Sequence, residues 1–196
     1  MALFPRFVDL RGQPCLVAGG GEVALRRIRG LLDFGARLTV CAPRIKDEIS
    51  HLAACGQIAL QHRCFQAGDL AGVRLAVAAT DDPAVNAEIR RLGAEGGIPV
   101  SSADSEPVTA TGFSFPALVR RGDLVVGISS SGAFPALSRH VRERIDATLP
   151  PDLAEVTERL GRLRAELETS GLDPAERREI IEAHLKEMLA QEGWQE

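Results

Sequence analysis

The sequence predicts an α/β protein with a doubly wound parallel sheet in its first hundred residues. Short apolar segments alternate there with longer amphipathic segments, which is the βαβ pattern. Two of the apolar segments, 16–18 and 75–79, contain no polar residue, as expected of central strands covered on both faces. A run of three glycines directly follows the first of these segments. In such sheets, ligands bind at the carboxyl ends of the strands, so this turn is the first candidate site.

Each element of this half has its own local signal. The first helix carries an apolar stripe that includes Val23, Ile28 and Leu31, and Gly35 follows it as a helix stop. Pro83 suits the first turn of a later helix. Strands are predicted over residues 15–18, 37–41, 58–62, 73–78 and 99–102, and helices over residues 22–33, 46–54 and 83–93.

The glycine turn, residues 19–24, has the spacing G-x-G-x-x-A of a dinucleotide-binding turn. Gly19 suits the tight turn, and Gly21 lets backbone N–H groups approach a pyrophosphate without an intervening Cβ. The small Ala24 lets the helix pack on the strand. The pyrophosphate would then lie at the helix N-terminus, where unpaired N–H groups favour an anion. A tight strand-to-helix turn without a ligand is the alternative interpretation of the same glycines.

Three other loops, at 42–44, 80–82 and 101–104, are predicted to converge on the same edge of the sheet. An acidic residue about twenty positions after the glycines normally binds the ribose 2′-hydroxyl of NAD. Here Cys41, Ala42 and Pro43 occupy those positions. Arg44 has three interpretations: it stacks on adenine, it binds a 2′-phosphate, or it is a solvated surface residue. This pattern therefore leaves NAD and NADP as alternatives.

From residue 113 the pattern changes: residues 113–119 lead to a turn at 120–123, and a strong strand follows at 124–129. Pro135 begins a helix whose outer side carries a group of basic residues: Arg139, His140, Arg142 and Arg144. This surface is either a solvated basic face or a binding surface for a polycarboxylate ligand.

Two further helices are predicted after Pro150, and the second covers residues 175–191. Apolar residues three and four positions apart, together with His184, are expected to face inward in that last helix. The two helices form a hairpin that packs on the rest of the chain or on a partner.

The composition excludes several classes of protein. The 196 residues carry a net charge of −4, which argues against general nucleic-acid binding. No segment reaches the roughly 18 apolar residues of a membrane helix, and no signal peptide precedes the first strand, so a cytoplasmic location is expected. The four cysteines lack a C-x-x-C pair and are interpreted as buried thiols that bind no metal and form no disulfide.

Five motifs occur in one order along almost the whole chain: GGGEVA at 19–24, AATDD at 78–82, SSAD at 101–104, FSFP at 113–116 and ISSSG at 128–132. Together they resemble the siroheme synthase N-terminal family, precorrin-2 dehydrogenase/sirohydrochlorin ferrochelatase. The resemblance implies a homodimer with an NAD-binding Rossmann domain at 1–112, a dimerisation region at 113–149 and a small helical domain at 150–196. Because no methyltransferase domain follows, a stand-alone form is expected.

The resemblance implies oxidation of precorrin-2 to sirohydrochlorin, a polycarboxylate tetrapyrrole, with NAD as hydride acceptor. Ferrous iron insertion is a second activity of bifunctional members. The sequence contains no ligand cluster of recognisable spacing, so it does not identify the metal. By the resemblance, Asp104 is the catalytic aspartate and Ser130 lies near the tetrapyrrole, for which Arg139 of the basic face is a further candidate. The cofactor-binding positions are Gly19, Gly20, Gly21, Glu22, Val23, Pro43, Arg44, Thr80 and Asp81.

Three departures from the family pattern stand out: Ser101 replaces an asparagine, Phe134 replaces a serine, and the segment between Asp104 and Phe113 is about two residues longer. Two other functions remain open. One is a non-catalytic, dinucleotide-sensing regulatory module, and the other is a chelatase with a vestigial nucleotide site.

Overall fold

The computed structural model describes residues 2–104 and 111–191. The longer segment between Asp104 and Phe113 therefore lies largely outside the described residues. The chain forms two compact units. The sheet unit is Arg6–Phe115, and the hairpin unit comprises the described residues of Met1–Pro5 and Pro116–Glu196. The division of the chain at 112 and 149 into three parts stays a prediction.

The sheet unit contains a five-stranded parallel sheet in the order β3-β2-β1-β4-β5, which confirms the predicted fold class. The strands are β1 Pro14–Ala18, β2 Arg37–Cys41, β3 Ile58–Gln61, β4 Leu75–Ala78 and β5 Val100–Ser102. The helices are α1 Glu22–Leu32, α2 Asp47–Ala54 and α3 Pro83–Glu95, with a short 3₁₀ turn at Ala67–Leu70.

Alternate residues of β1 belong to two separate hydrophobic cores. Val17 packs in one core with Ile28 of α1 and Ile49 of α2. Leu16 packs in the other core with Ile89 of α3. Because successive side chains of a strand point to opposite faces, α1 and α2 cover one face of the sheet and α3 covers the other. This is the doubly wound arrangement, and it explains why β1 and β4 have no exposed side.

The hairpin unit begins with the antiparallel pair β6 Ala117–Arg121 and β7 Leu124–Ile128. Three helices follow: α4 Pro135–Thr148, α5 Leu153–Glu168 and α6 Pro174–Gln191. A small core forms around Leu153, Val156 and Met188. Arg121 fixes the end of α4, because its guanidinium donates hydrogen bonds to the carbonyls of Leu149 and Asp146 at 2.9 and 2.8 Å.

Two expectations about side chains are wrong. His184 is exposed rather than inward-facing, and its Nδ1 lies 2.9 Å from the carbonyl oxygen of Ile180 in the preceding turn of α6. Cys55 and Cys64 are exposed, whereas Cys15 and Cys41 are buried as expected. In each case the sequence indicates where the helix or loop lies along the chain, but it does not indicate how that segment is rotated against the neighbouring elements.

No helix in the described part of the chain combines the length and the apolar character that crossing a membrane requires.

Candidate functional site

Loops at the carboxyl ends of β1, β2, β3 and β4 line one pocket of about 360 Å³ in the sheet unit. That volume lies within the roughly 300–1,000 Å³ typical of ligand sites. The lining residues are Gly19, Gly20, Gly21, Cys41, Ala42, Pro43, Arg44, Ile45, Lys46, Cys64, Phe65, Ala79, Thr80, Asp81, Asp82 and Val85.

The first two glycines are fixed by close backbone contacts. Gly19 has a φ of +129°, and a Cβ on it would lie 2.0 Å from the carbonyl oxygen of Ala79. A Cβ on Gly20 would lie 2.1 Å from the carbonyl oxygen of Arg44. The turn after β1 therefore touches the loops after β4 and β2, and only glycine fits at both positions. The structure has the tight turn predicted at Gly19, and the binding of a cofactor by this residue stays a prediction.

Gly21 differs from both, because a Cβ on it would meet no protein atom within 4 Å. Gly21 is the N-cap of α1 and has no side chain that could cap the helix. The first N–H groups of a helix have no partner within it. An open space therefore faces a positively polarised helix end, which is the geometry that a pyrophosphate requires. The turn fits a dinucleotide on this observation.

An ion pair joins the residue after the glycine turn to the loop after β2. The ammonium of Lys46 donates a hydrogen bond to the carboxylate of Glu22, the first residue of α1. The backbone N–H of Lys46 donates to the carbonyl of Gly20 at 3.0 Å. This hydrogen-bonded pair raises the pKa of Lys46 and lowers the pKa of Glu22. Sequence reasoning missed Lys46, because its contacts come from a segment 24 residues earlier in the chain.

The loop after β4 is held by a buried amide. Asn86 of α3 is 3% exposed, and its Oδ1 accepts hydrogen bonds from the N–H of Thr80 at 3.1 Å and from its hydroxyl at 2.8 Å. The amide of Asn86 donates to the carbonyl of Thr80 at 3.0 Å. Asp82 caps α3 by accepting from the N–H of Ala84 at 2.8 Å. These bonds fix the predicted positions Thr80 and Asp81 at the pocket.

The loop after β3 brings a thiol and an aromatic ring, Cys64 and Phe65, to the pocket. Cys41 lies beside them at the end of β2, and burial raises its pKa to about 12, so this thiol stays protonated. Arg63 anchors the loop through Asp69, whose two carboxylate oxygens accept from the guanidinium at 2.6 and 2.9 Å. This hydrogen-bonded pair lowers the pKa of Asp69.

Replacing Asp69 by Asn is expected to lower the free energy of unfolding at pH 7 by about 1–3 kcal/mol, because it leaves Arg63 without its charged partner. The Asp69 side chain is only 10% exposed. Since its pKa is lower in the folded protein than in the unfolded chain, the pair stabilises fully above about pH 4. That contribution disappears as the pH falls through the lowered pKa. Urea unfolding at a series of pH values measures both effects.

The control is Glu88→Gln, which removes an exposed carboxylate that pairs with Arg91 at 2.7 Å. Exposed ion pairs contribute about 0–1 kcal/mol, so this variant should unfold almost like the wild type. Equal losses in the two variants would contradict a special role for Asp69.

Asp104 follows β5, at the same edge of the sheet but outside the lining of this pocket. The N–H of Ala103 donates to the carbonyl of Ala78 at 2.8 Å, which places Asp104 next to the end of β4. Arg90 of α3 donates to Oδ2 of Asp104 at 2.7 Å, and the hydroxyl of Ser102 donates to Oδ1. The carboxylate is about one-quarter exposed and held in one orientation.

Most of the predicted cofactor positions line the pocket: Gly19, Gly20, Gly21, Pro43, Arg44, Thr80 and Asp81. Glu22 adjoins it through Lys46, and Val23 packs against the core beneath α1. The two predicted substrate residues belong to the hairpin unit. Ser130 accepts a hydrogen bond from the N–H of Phe134 at 3.2 Å, and Arg139 lies exposed on α4.

No group of three or more His, Cys, Asp or Glu side chains is arranged to hold a metal ion in residues 2–104 and 111–191.

Several known proteins are similar to this chain. The family model NAD_binding_7, described as "Putative NAD(P)-binding", matches residues 6–117. The siroheme synthase of Methylococcus capsulatus is 39% identical over 186 residues, which are 95% of this chain and 39% of that protein. The siroheme synthase of Pseudomonas paraeruginosa is 42% identical over 84% of this chain and 35% of its own length. The chain thus spans well under half the length of these curated relatives.

A solved structure resembles the chain over nearly its whole length. "SirC, precorrin-2 dehydrogenase" superposes with a TM-score of 0.74 and 28% identity, covering 96% of this chain and 98% of that one.

Proposed function

The chain belongs to the NAD(P)-binding family that matches its sheet unit and to the siroheme synthase N-terminal family, and from this premise we propose that it oxidises precorrin-2 to sirohydrochlorin with NAD⁺. One observation carries the proposal. A glycine turn open to a pyrophosphate lies at the same sheet edge as the fixed carboxylate of Asp104. The likeness to SirC, which extends over both units, supports the choice of substrate.

NAD⁺ would supply the hydride acceptor when bound, and the chain's own residues would supply binding and proton transfer. The unpaired N–H groups at the start of α1 bind the pyrophosphate, and Gly21 leaves the space for it. Thr80 and Asp81 border the pocket on the side of β4. No carboxylate stands at the end of β2, where NAD is usually distinguished from NADP, so we assign NAD⁺ on the likeness to the family.

Asp104 is the residue that we expect to accept the proton. Removal of a hydride from one carbon must be accompanied by loss of a proton elsewhere in the substrate, and a positioned carboxylate is a suitable base. Arg90 and Ser102 each donate to one carboxylate oxygen of Asp104. A carboxylate oxygen has two lone pairs, so each oxygen retains acceptor capacity. Arg90 and Ser102 therefore act as positioning residues.

The substrate is a polycarboxylate, and we propose that Ser130 and Arg139 bind it. Arg139 is exposed on α4 and makes no ion pair within the described part of the chain. Its neighbour Arg142 is engaged by Glu143 and by Asp146, at 3.5 Å in each case. Arg139 is therefore the better placed of the two cations for a carboxylate ligand.

We also propose that the protein is a homodimer and works in the cytoplasm, where NAD⁺ is available. Large apolar side chains of the hairpin unit are exposed, among them Phe4 at 90%, Phe134 at 66% and Leu137 at 54%. The N–H of Leu3 donates to the hydroxyl of Ser131 at 3.0 Å, which brings the N-terminal residues beside the turn before α4. Exposed apolar surface is typical of protein interfaces, which supports the proposed dimer.

Leu137→Asp is expected to convert the dimer to a monomer of 21.0 kDa, because it places a charge in the apolar surface. Light scattering after size exclusion measures the mass. Ala147→Asp adds the same charge at an exposed position of the same helix and should leave the dimer intact. A wild-type protein that is monomeric at micromolar concentration would refute the proposal.

The function is tested by anaerobic incubation of the protein with precorrin-2 and NAD⁺ in the absence of metal. Formation of NADH matched by the absorption spectrum of sirohydrochlorin would establish the dehydrogenase. Binding of NAD⁺ without NADH formation would indicate a sensing module instead. Ferrous ion added afterwards tests the insertion of iron, whose rate must exceed the rate without protein to count as a second activity.

A further inference from the structure

We propose that Lys46 binds the pyrophosphate of the dinucleotide, and that Glu22 holds its ammonium beside the turn until the cofactor arrives. This inference rests on the proposed NAD⁺ site and adds a residue to it. Glu22 is thereby a positioning residue that acts through Lys46.

Two backbone contacts with Gly20 fix the location of Lys46 and of the residues just before it. Its N–H donates to the carbonyl of Gly20 at 3.0 Å, and the preceding Arg44 carbonyl would lie 2.1 Å from a Cβ on Gly20. The loop after β2 is thus in direct contact with the glycine turn. Lys46 lines the pocket, and its side chain is 38% exposed, so its ammonium has room to move.

The ammonium lies beside the first residue of α1, at the helix end where we propose that the pyrophosphate binds. Its partner Glu22 is the first residue of α1, directly after the open Gly21. A second carboxylate, that of Glu48, is 4.0 Å from the ammonium. Without Lys46, these carboxylates would repel an anion at the helix end. With Lys46 present, its ammonium can bind the pyrophosphate in place of the carboxylate of Glu22.

The choice of lysine supports this role. Lys46 and Lys186 are the two lysines among the 23 basic residues of the chain, and the rest are arginines. An arginine would bind the carboxylate of Glu22 through two parallel hydrogen bonds from its planar guanidinium. A lysine carries a compact charge on a flexible aliphatic chain. The pKa of Lys46 is raised and that of Glu22 is lowered by their hydrogen bond, so both groups are charged at neutral pH.

The test is titration of the protein with NADH, followed by fluorescence, and with ADP, followed by calorimetry. Lys46→Met is expected to weaken binding of both ligands about tenfold, since it removes a charge-assisted hydrogen bond. It should also flatten the dependence of affinity on salt concentration, which loss of packing alone would not do. Glu22→Gln should strengthen binding about threefold, because it releases the ammonium and removes a repulsive charge. Lys46→Arg should restore only part of the affinity, because the planar guanidinium keeps the positive charge but is held more firmly by the carboxylate of Glu22.

The matched control is Lys186→Met, which removes the other lysine, on α6 of the hairpin unit, and should leave both affinities unchanged. Thermal unfolding of each variant confirms that the fold is retained. Equal affinities and salt dependence in Lys46→Met and the wild type would overturn this inference and leave the proposed function intact. Failure of the wild type to bind either ligand would overturn both.

Discussion

Replacing Asp104 by Asn is expected to lower the rate of precorrin-2 oxidation by about 10²- to 10⁴-fold, the usual contribution of a general base. Asparagine has the same shape but cannot take up a proton. Arg90 and Ser102 both donate to the carboxylate, and an amide presents only one acceptor atom to them. The affinity for NADH should stay close to that of the wild type, because Asp104 is outside the lining of the nucleotide pocket.

Single-turnover formation of NADH under anaerobic conditions measures this effect, and fluorescence titration with NADH measures the cofactor affinity. Asp152→Asn is a suitable control, since this aspartate at the start of α5 makes no capping hydrogen bond with its side chain. A variant at Asp104 that turns over at the wild-type rate would exclude the residue as the base. A variant that loses NADH binding as well would show that Asp104 shapes the cofactor site instead.

Replacing Gly19 by Ala is expected to lower the free energy of unfolding by about 3 kcal/mol or more. The new Cβ would lie 2.0 Å from the carbonyl oxygen of Ala79, and the φ of +129° is unfavourable for any side chain. The end of β1 would have to separate from the end of β4. Such a loss is a large part of the roughly 5–15 kcal/mol that stabilises a typical domain.

Gly21→Ala is the matched comparison, because its Cβ meets no protein atom within 4 Å and its φ of −88° suits alanine. Stability should change by less than about 0.5 kcal/mol. The affinity for NADH should nevertheless fall by about tenfold or more, since the methyl group occupies space that the pyrophosphate needs. Urea unfolding and fluorescence titration separate the two effects. Unchanged NADH affinity in Gly21→Ala would mean that the cofactor binds elsewhere.

The sequence by itself determined the sheet, its central strands and the position of the glycine turn. Apolar runs without alternation located β1 and β4 at the centre, where both faces are covered. The bounds of most elements agree within one or two residues, as for β2, which is Arg37–Cys41 in both. These features follow from local preferences and from the period of the hydrophobic pattern, both of which one segment of chain carries within itself.

The tertiary structure decided which side chains meet. The pairing of Lys46 with Glu22 and that of Arg90 with Asp104 each join different elements, 24 and 14 residues apart. The exposure of His184 and Cys64 likewise depends on how a helix or loop is turned against its neighbours. Periodicity shows that a residue lies near one face of an element, but the packing of whole elements sets the final rotation and the distances between charged atoms. The pocket edge could therefore be predicted from the sequence, whereas its ion pairs required the folded chain.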